Sequence, residues 1–180
     1  MIKDILNLLK FKPEPIEYYQ KYSQKTSIGI AIFISAVYSF LLPQPPEIKI
    51  FAHFLMTLTM VPLMLIVTWT LIKLLKFKLK NPSFQALFTL AVLASIIDLL
   101  LIPLVFLTQF HGVFDYLQLI ILCYSFLVFF FAFAKANAVN FSFSLLAMLL
   151  GMVTLTVLMM TTSIIFTSLG LMPMPTLPPV

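Results

Sequence analysis

The sequence predicts an all-α, polytopic membrane protein: five transmembrane helices preceded by an N-terminal amphipathic helix at the membrane interface. Three observations carry that prediction. Of 180 residues, 62% are apolar and only 9% charged, whereas a water-soluble domain carries charge on roughly a quarter of its residues. Five apolar runs are long enough to cross a hydrocarbon core of about 30 Å, and short stretches rich in Pro, Lys, Asn or Gly separate them. Runs such as 126–131 are apolar at every position, while the strands of a membrane barrel alternate. Helices therefore remain as the way to satisfy the backbone inside lipid.

Residues 1–25 form the first, cytoplasmic unit. At about 100° per residue, Met1, Ile2, Ile5, Leu6 and Leu9 share one face, and Lys3, Asp4, Asn7 and Lys10 share the other. With Lys12 beside it, this segment predicts a helix lying on the membrane surface. A soluble partner-binding helix is the alternative. No apolar run follows within these residues and no small-residue cleavage site is present, so a secretory signal is not expected.

The membrane domain covers 26–169, with spans at 26–42, 48–75, 84–108, 113–134 and 141–169. The first is the shortest and ends at Pro43-Gln44-Pro45-Pro46, which cannot continue a helix. Its Ala31, Ser35 and Ser39 recur every four residues as a small-residue packing face. Pro62 in the second span and Pro103 in the third predict kinks. The fourth span pairs Ala132 with Ala136 and Ala134 with Ala138. It also holds Cys123, which has no disulfide partner in its own chain. In the fifth, Ser144, Ala147, Gly151, Thr154, Leu158, Thr161, Ile165 and Ser168 predict a mostly small packing stripe. The tail 170–180, with Pro173, Pro175, Pro178 and Pro179, reads as extended.

Ten of the eleven lysines lie in 1–25, in the connection after the second span, or at Lys135; only Lys49 falls on the other side. This bias predicts a cytoplasmic N-terminus and, with five spans, an outer C-terminus, in a bacterial cytoplasmic (inner) membrane. Tyr18, Tyr19, Tyr22 and Trp69 fall near the inner interface, Tyr38 and Tyr116 near the outer one. Lys76, Lys78 and Lys80 form a basic loop suited to anionic inner-leaflet head groups. The net charge of +5 lies in such short clusters beside apolar runs, so no nucleic-acid partner is expected.

Asp98 lies near the middle of the third span, where an ionised carboxylate costs at least about 2.5 kcal/mol. It must be protonated, paired or wet. Two roles are open: a proton, ion or substrate contact in a polar path, or an interhelical hydrogen bond to Thr154, Thr156, Thr161 or Thr162. A second constellation, Glu47, Lys49, His53, His111 and Asp115, falls near the outer ends of spans. Of these, His53, His111 and Asp115 are the candidate metal ligands, but their spacing matches no zinc motif, and the expectation is no metal and no cofactor. With four glycines in the chain, no phosphate loop, nucleophile elbow or paired-carboxylate spacing occurs, so the protein is not expected to be an enzyme.

Phe11-Lys12-Pro13-Glu14-Pro15-Ile16-Glu17-Tyr18-Tyr19 resembles the phenylalanine-and-proline opening segment of the Yip family, the Ypt-interacting membrane proteins and their bacterial relatives. Lys80-Asn81-Pro82-Ser83-Phe84-Gln85-Ala86-Leu87 resembles the polar loop and Ser-Phe start of that family's third helix, and Lys135-Ala136-Asn137-Ala138-Val139-Asn140 the connection before its last. The resemblance implies five spans with a cytoplasmic N-terminus, as in a bacterial-type member. The chain lacks the acidic Asp-Leu-Tyr-Gly-Pro motif of the secretory-pathway members, so no GTPase partner is implied. Together these readings point to a non-enzymatic protein of membrane organisation, a subunit or scaffold with a membrane-protein partner or a second copy of itself. The alternative is a small transporter, channel or lipid-translocating subunit that uses Asp98.

Overall fold

The computed structural model describes residues 1–41, 48, 50–79, 81–108 and 110–172. Among these, the regular structure is helical: α1 (Ile2–Leu9), a 3₁₀ turn (Ile16–Lys21), α2 (Gln24–Leu41), α3 (Ile50–Leu75), α4 (Phe84–Ser95), a 3₁₀ turn (Ile96–Leu100), α5 (Leu101–Thr108), α6 (Val113–Ala136) and α7 (Phe141–Ser168). Counting α4 through α5 as one, five helices are long and apolar enough to cross a membrane. The chain is an integral, multi-pass membrane protein. The proline-rich turn at 43–46, Glu47, Lys49, Lys80 and the tail from 173 onward lie outside the described residues.

Side-chain caps start the helices that follow polar loops. The Ser83 hydroxyl accepts from the Ala86 amide at 3.3 Å, and the Asn140 carbonyl oxygen accepts from the Phe143 amide at 3.1 Å. Each satisfies a donor that the first turn of a helix leaves open. At the other end, α1, α6 and α7 close through left-handed residues: Phe11 at φ 54°, Ala138 at φ 51° and Gly170 at φ 68°. The paired bonds Phe11 N–H to Leu8 and Lys12 N–H to Asn7, and their counterparts after α6 and α7, satisfy the last carbonyls.

Helix α4 sits at the centre, against α1, the Ile16–Lys21 turn, α2, α3 and α6. Its composition explains this position: Leu87, Phe88, Leu90, Val92 and Leu93 leave no polar face, so burial on all sides is the stable solution. The core lies toward the lysine-bearing end, where Leu8, Ile16 and Tyr19 of the N-terminal segment join Leu75, Leu87 and Phe133. A smaller cluster of Ala31, Ile34, Val61, Phe88 and Val92 ties α2 and α3 to α4. Helix α7 packs along α3 and α6.

The third span runs from Phe84 to Thr108 as expected, and its irregularity falls ahead of Pro103: residues 96–100 tighten into 3₁₀ geometry just before that proline, which has no N–H for the Leu99 carbonyl and crowds it with its ring. One expectation changes: Asp4 is not on a free polar face. It is buried, 2% exposed, together with Leu8, while Ile2 and Leu6 point outward beside Lys3 and Lys10.

Candidate functional site

The break between α4 and α5 puts Asp98 where three helices can reach it. Its carboxylate accepts a hydrogen bond from the Ser125 hydroxyl of α6 at 2.5 Å. The expected threonine partners of α7 do something else: Thr154, Thr161 and Thr162 each donate back to the carbonyl four residues earlier, at 2.8, 2.9 and 2.8 Å. Helix register is the reason. Met152 and Leu155 are the α7 residues that line the cavity Asp98 borders, which leaves Thr154 about 100° round the helix from Leu155 and Thr161 on the outer surface. The predicted site of Asp98, Thr154 and Thr161 thus resolves into Asp98 with Ser125.

Asp98 borders two cavities. The larger, about 580 Å³, opens between α3, α4, α6 and α7 and is walled mainly by Leu, Met and Phe, with Tyr38, Thr68, Ser95 and Ser125 as its other polar residues. The second, about 320 Å³, lies toward α2 and includes Ser35 and Thr57. Tyr38, Met64, Ser95 and Asp98 line both. The Thr68 and Ser95 hydroxyls spend their protons on their own helix, to Met64 and Val92 carbonyls at 2.7 and 2.9 Å. Toward the cavities they present lone pairs. The site is therefore an apolar chamber with one carboxylate, two hydroxyl acceptors and the Tyr38 phenol, suited to a proton, a cationic group or a polar head attached to an apolar body.

A third cavity of about 310 Å³ between α3 and α7 shares Thr57 and Met60 with the second and is lined by His53. The other metal candidates lie apart from it. His111 accepts from the Val113 amide at 3.1 Å and so caps α6, and Asp115 stands in the first turn of that helix. Among the described residues, no three of His, Cys, Asp and Glu come together. The sequence constellation is not a single site because His53 belongs to α3, while His111 and Asp115 belong to the start of α6.

The small-residue faces are used inside the chain. Ala31, Ser35, Ser39, Ala147 and Gly151 are all buried. A methyl group on Gly151 would sit 3.5 Å from Leu71 Cδ2 and 3.7 Å from Val67 Cγ1, so the glycine marks the close approach of α7 to α3. Farther along α7 the buried side passes to Phe166, leaving Thr161, Ile165 and Ser168 outward. Lys3, Lys10, Lys12, Lys76 and Lys78 are exposed at one end of the bundle; Lys80 lies outside the described residues. At that end the Lys135 ammonium donates to the Phe11 carbonyl at 2.8 Å, and Lys73 sits 4.0 Å from the Trp69 ring centroid.

Three polar contacts escape sequence reasoning. Asp4 accepts from the Tyr18 hydroxyl at 2.9 Å and from the Tyr22 hydroxyl, and pairs with the Lys21 ammonium at 3.0 Å. Burial works to raise its pKa, but the bonds from Tyr22, Lys21 and Tyr18 outweigh it and hold the carboxyl well below the usual range. Burial first, and the Asp4 carboxylate second, push the Tyr22 phenol up to about 12. Ser27 and Thr89 join α2 to α4 by a buried hydroxyl pair at 2.7 Å. Ser125 completes the set. Only Tyr18 and Tyr22, in the same N-terminal segment as Asp4, gave any signal, since single hydroxyls in apolar runs are ordinary. No protein-family model, curated protein or solved structure matches this chain.

Proposed function

We propose that this is a non-enzymatic membrane protein of the transport class, a small transporter, channel or lipid-translocating subunit that uses Asp98 as the polar group of an intramembrane path. The single observation that carries this reading is a span that tightens to 3₁₀ geometry at Asp98, in its middle, and whose carboxylate borders two adjoining cavities. A mid-helix 3₁₀ stretch often marks a functional hinge, and ionisable residues inside a span that face a cavity mark substrate and ion pathways. No cofactor is required. In this reading the lysine-bearing end faces the cytoplasm. Lys3, Lys10, Lys12, Lys76, Lys78 and Lys80 meet anionic head groups there, each at about 1 kcal/mol.

The test is flux from proteoliposomes, using entrapped pyranine for protons and an NBD-labelled phospholipid for lipid translocation. Wild type should exceed protein-free vesicles in one of the two. Asp98→Asn should lose about tenfold, equivalent to about 1.4 kcal/mol in a barrier, while eluting as a single species. Wild-type flux from Asp98→Asn, or no flux from wild type in either assay, would refute the reading.

A membrane-organising role, bound to a partner protein or a second copy, has one observation in its favour. The outer half of the α7 stripe, with Thr161, Ile165 and Ser168, faces away from the chain's own core and is suited to helix association. This is also the role closest to the Yip-type resemblance. Cross-linking through cysteine at Ser168 in native membranes would favour it if one discrete adduct formed.

A further inference from the structure

The cavity between α3 and α7, at the end of the bundle away from Lys76 and Lys78, is lined by an unusual number of soft donor atoms. His53, Met56 and Met60 stand at i, i+3 and i+7, one face of α3. Met159 of α7 joins them in lining the same 310 Å³ cavity. So does Met172, which the chain brings back toward α7 after Gly170. The left-handed Gly170 turns the backbone, the Leu171 amide bonds to the Phe166 carbonyl at 2.9 Å, and the Met172 sulfur lies 4.0 Å from the Ser163 hydroxyl. Four of the ten methionines thus line one cavity with one histidine.

The histidine carries the second observation. Its Nδ1 is buried and has no hydrogen-bond partner among the described residues, although ring nitrogens in apolar surroundings ordinarily find one, and each exception calls for an explanation such as an ion. A coordinated metal supplies the missing partner. The chemistry of the set then selects the metal. The described lining residues include no carboxylate, thiolate or other charged group, so hard, oxygen-seeking Ca²⁺ and Mg²⁺ find no charged oxygen ligands and Zn²⁺ finds one imidazole where its sites use three or four nitrogen, thiolate or carboxylate donors. Thioethers with one imidazole are neutral and soft, a set that suits monovalent copper. Methionine's three rotatable bonds let sulfurs from α3, α7 and the turn after it adjust to one ion without moving the backbone.

We propose that His53, Met56, Met60, Met159 and Met172 form a binding site for a soft monovalent cation, Cu(I). Of these residues only Met60 also lines the smaller Asp98 cavity, and the site does not depend on the Asp98 reading. Binding requires no electron transfer, since the ion arrives already reduced and the ligands are neutral.

The test is an anaerobic titration of the tag-free, full-length protein in detergent with Cu(I), against bicinchoninate as the competing chromophore. Cys123→Ser serves as the background, because the exposed thiol would bind copper itself. One Cu(I) per chain is expected. Met60→Leu, which keeps the volume, and His53→Ala should each weaken it by about tenfold or more, the scale on which metal sites respond to disrupted ligation. Met152→Leu, in the Asp98 cavity, should leave it unchanged. X-ray absorption at the copper edge should show sulfur and nitrogen neighbours together. Should a variant aggregate, Ag(I) protection of the wild-type methionines from peroxide, read by mass spectrometry, gives the same answer: Met56, Met60, Met159 and Met172 protected, Met152 not. Absence of stoichiometric Cu(I), equal affinity in Met60→Leu and Met152→Leu, uniform peroxide oxidation, or Zn²⁺ binding as tight as Cu(I) would each overturn the proposal.

Discussion

Ala138 holds a left-handed conformation, φ 51°, on an exposed corner where α6 ends. An L-residue there costs about 1–2 kcal/mol that glycine avoids, and the closing bonds from Ala138 and Val139 to Lys135 and Ala134 remain available to glycine. Ala138→Gly should therefore raise stability by about 1 kcal/mol in thermal unfolding. Phe11 has the same backbone strain and the opposite outlook. Its ring makes edge contacts with Tyr124 and Phe131 at centroid distances of 5.6 and 5.3 Å, so Phe11→Gly should destabilise. Asp4 gives a pH prediction with a defined sign. Its folded pKa lies below the unfolded value of about 3.9, so the stability it supplies is present above that value and is lost as pH falls toward the folded pKa. The protection of amides 1–22 against hydrogen exchange, relative to their intrinsic rates at each pH, should fall below about pH 4. At neutral pH, Asp4→Asn should loosen the same amides by about 1–2 kcal/mol, while leaving α4 protected.

Among the elements, α3 with α7 and α4 with α5 show two ways in which a span departs from a plain apolar rod. A Cβ at Gly151 meets Leu71 and Val67 at ordinary contact distance, and alanine gains up to about 1 kcal/mol of helix propensity over glycine. Gly151→Ala should hold or raise stability, whereas Gly151→Leu should lower it by about 1–3 kcal/mol by forcing α7 off α3. Denaturation in mixed micelles measures both. The α4–α5 break has a different origin, because Pro103 removes one backbone bond in the very turn that carries the acid. Its presence was legible in the sequence as a kink-forming proline. Its location at 96–100, and with it the exposure of Asp98 to two cavities, was not, because the freed carbonyl belongs to the residue four places earlier and neighbouring helices decide how the chain relaxes.

At the scale of the molecule, antiparallel packing of five spans gathers Lys12, Lys76, Lys78 and Lys135 at one end. The orientation proposed from that asymmetry makes a direct prediction in a Cys123→Ser background. Lys78→Cys should react with a membrane-impermeant maleimide only after permeabilisation, and Tyr116→Cys should react in intact cells.

Apolar length and the dearth of charge determined the fold class by themselves, because a bilayer constrains a backbone so tightly that about twenty apolar residues admit one structure. Small residues at four-residue spacing likewise marked Ala31, Ser35, Ser39, Ala147 and Gly151 as packing positions, since close helix contact needs little else. The partners of polar groups were decided by tertiary structure alone. A threonine on α7 and a serine on α6 are equally reachable from Asp98 in one dimension; a rotation of about 100° per residue settles which one faces it. Asp4 reads as solvated on a helical wheel, yet Tyr18, Lys21 and Tyr22 return from beyond Pro13 and Pro15 to enclose it. His53 and four methionines are scattered over 120 positions, and only the pairing of α3 with α7 places them around one cavity. Local periodicity fixes which face of a helix is apolar. The long-range contacts that choose a hydrogen-bond partner arise only when the helices pack.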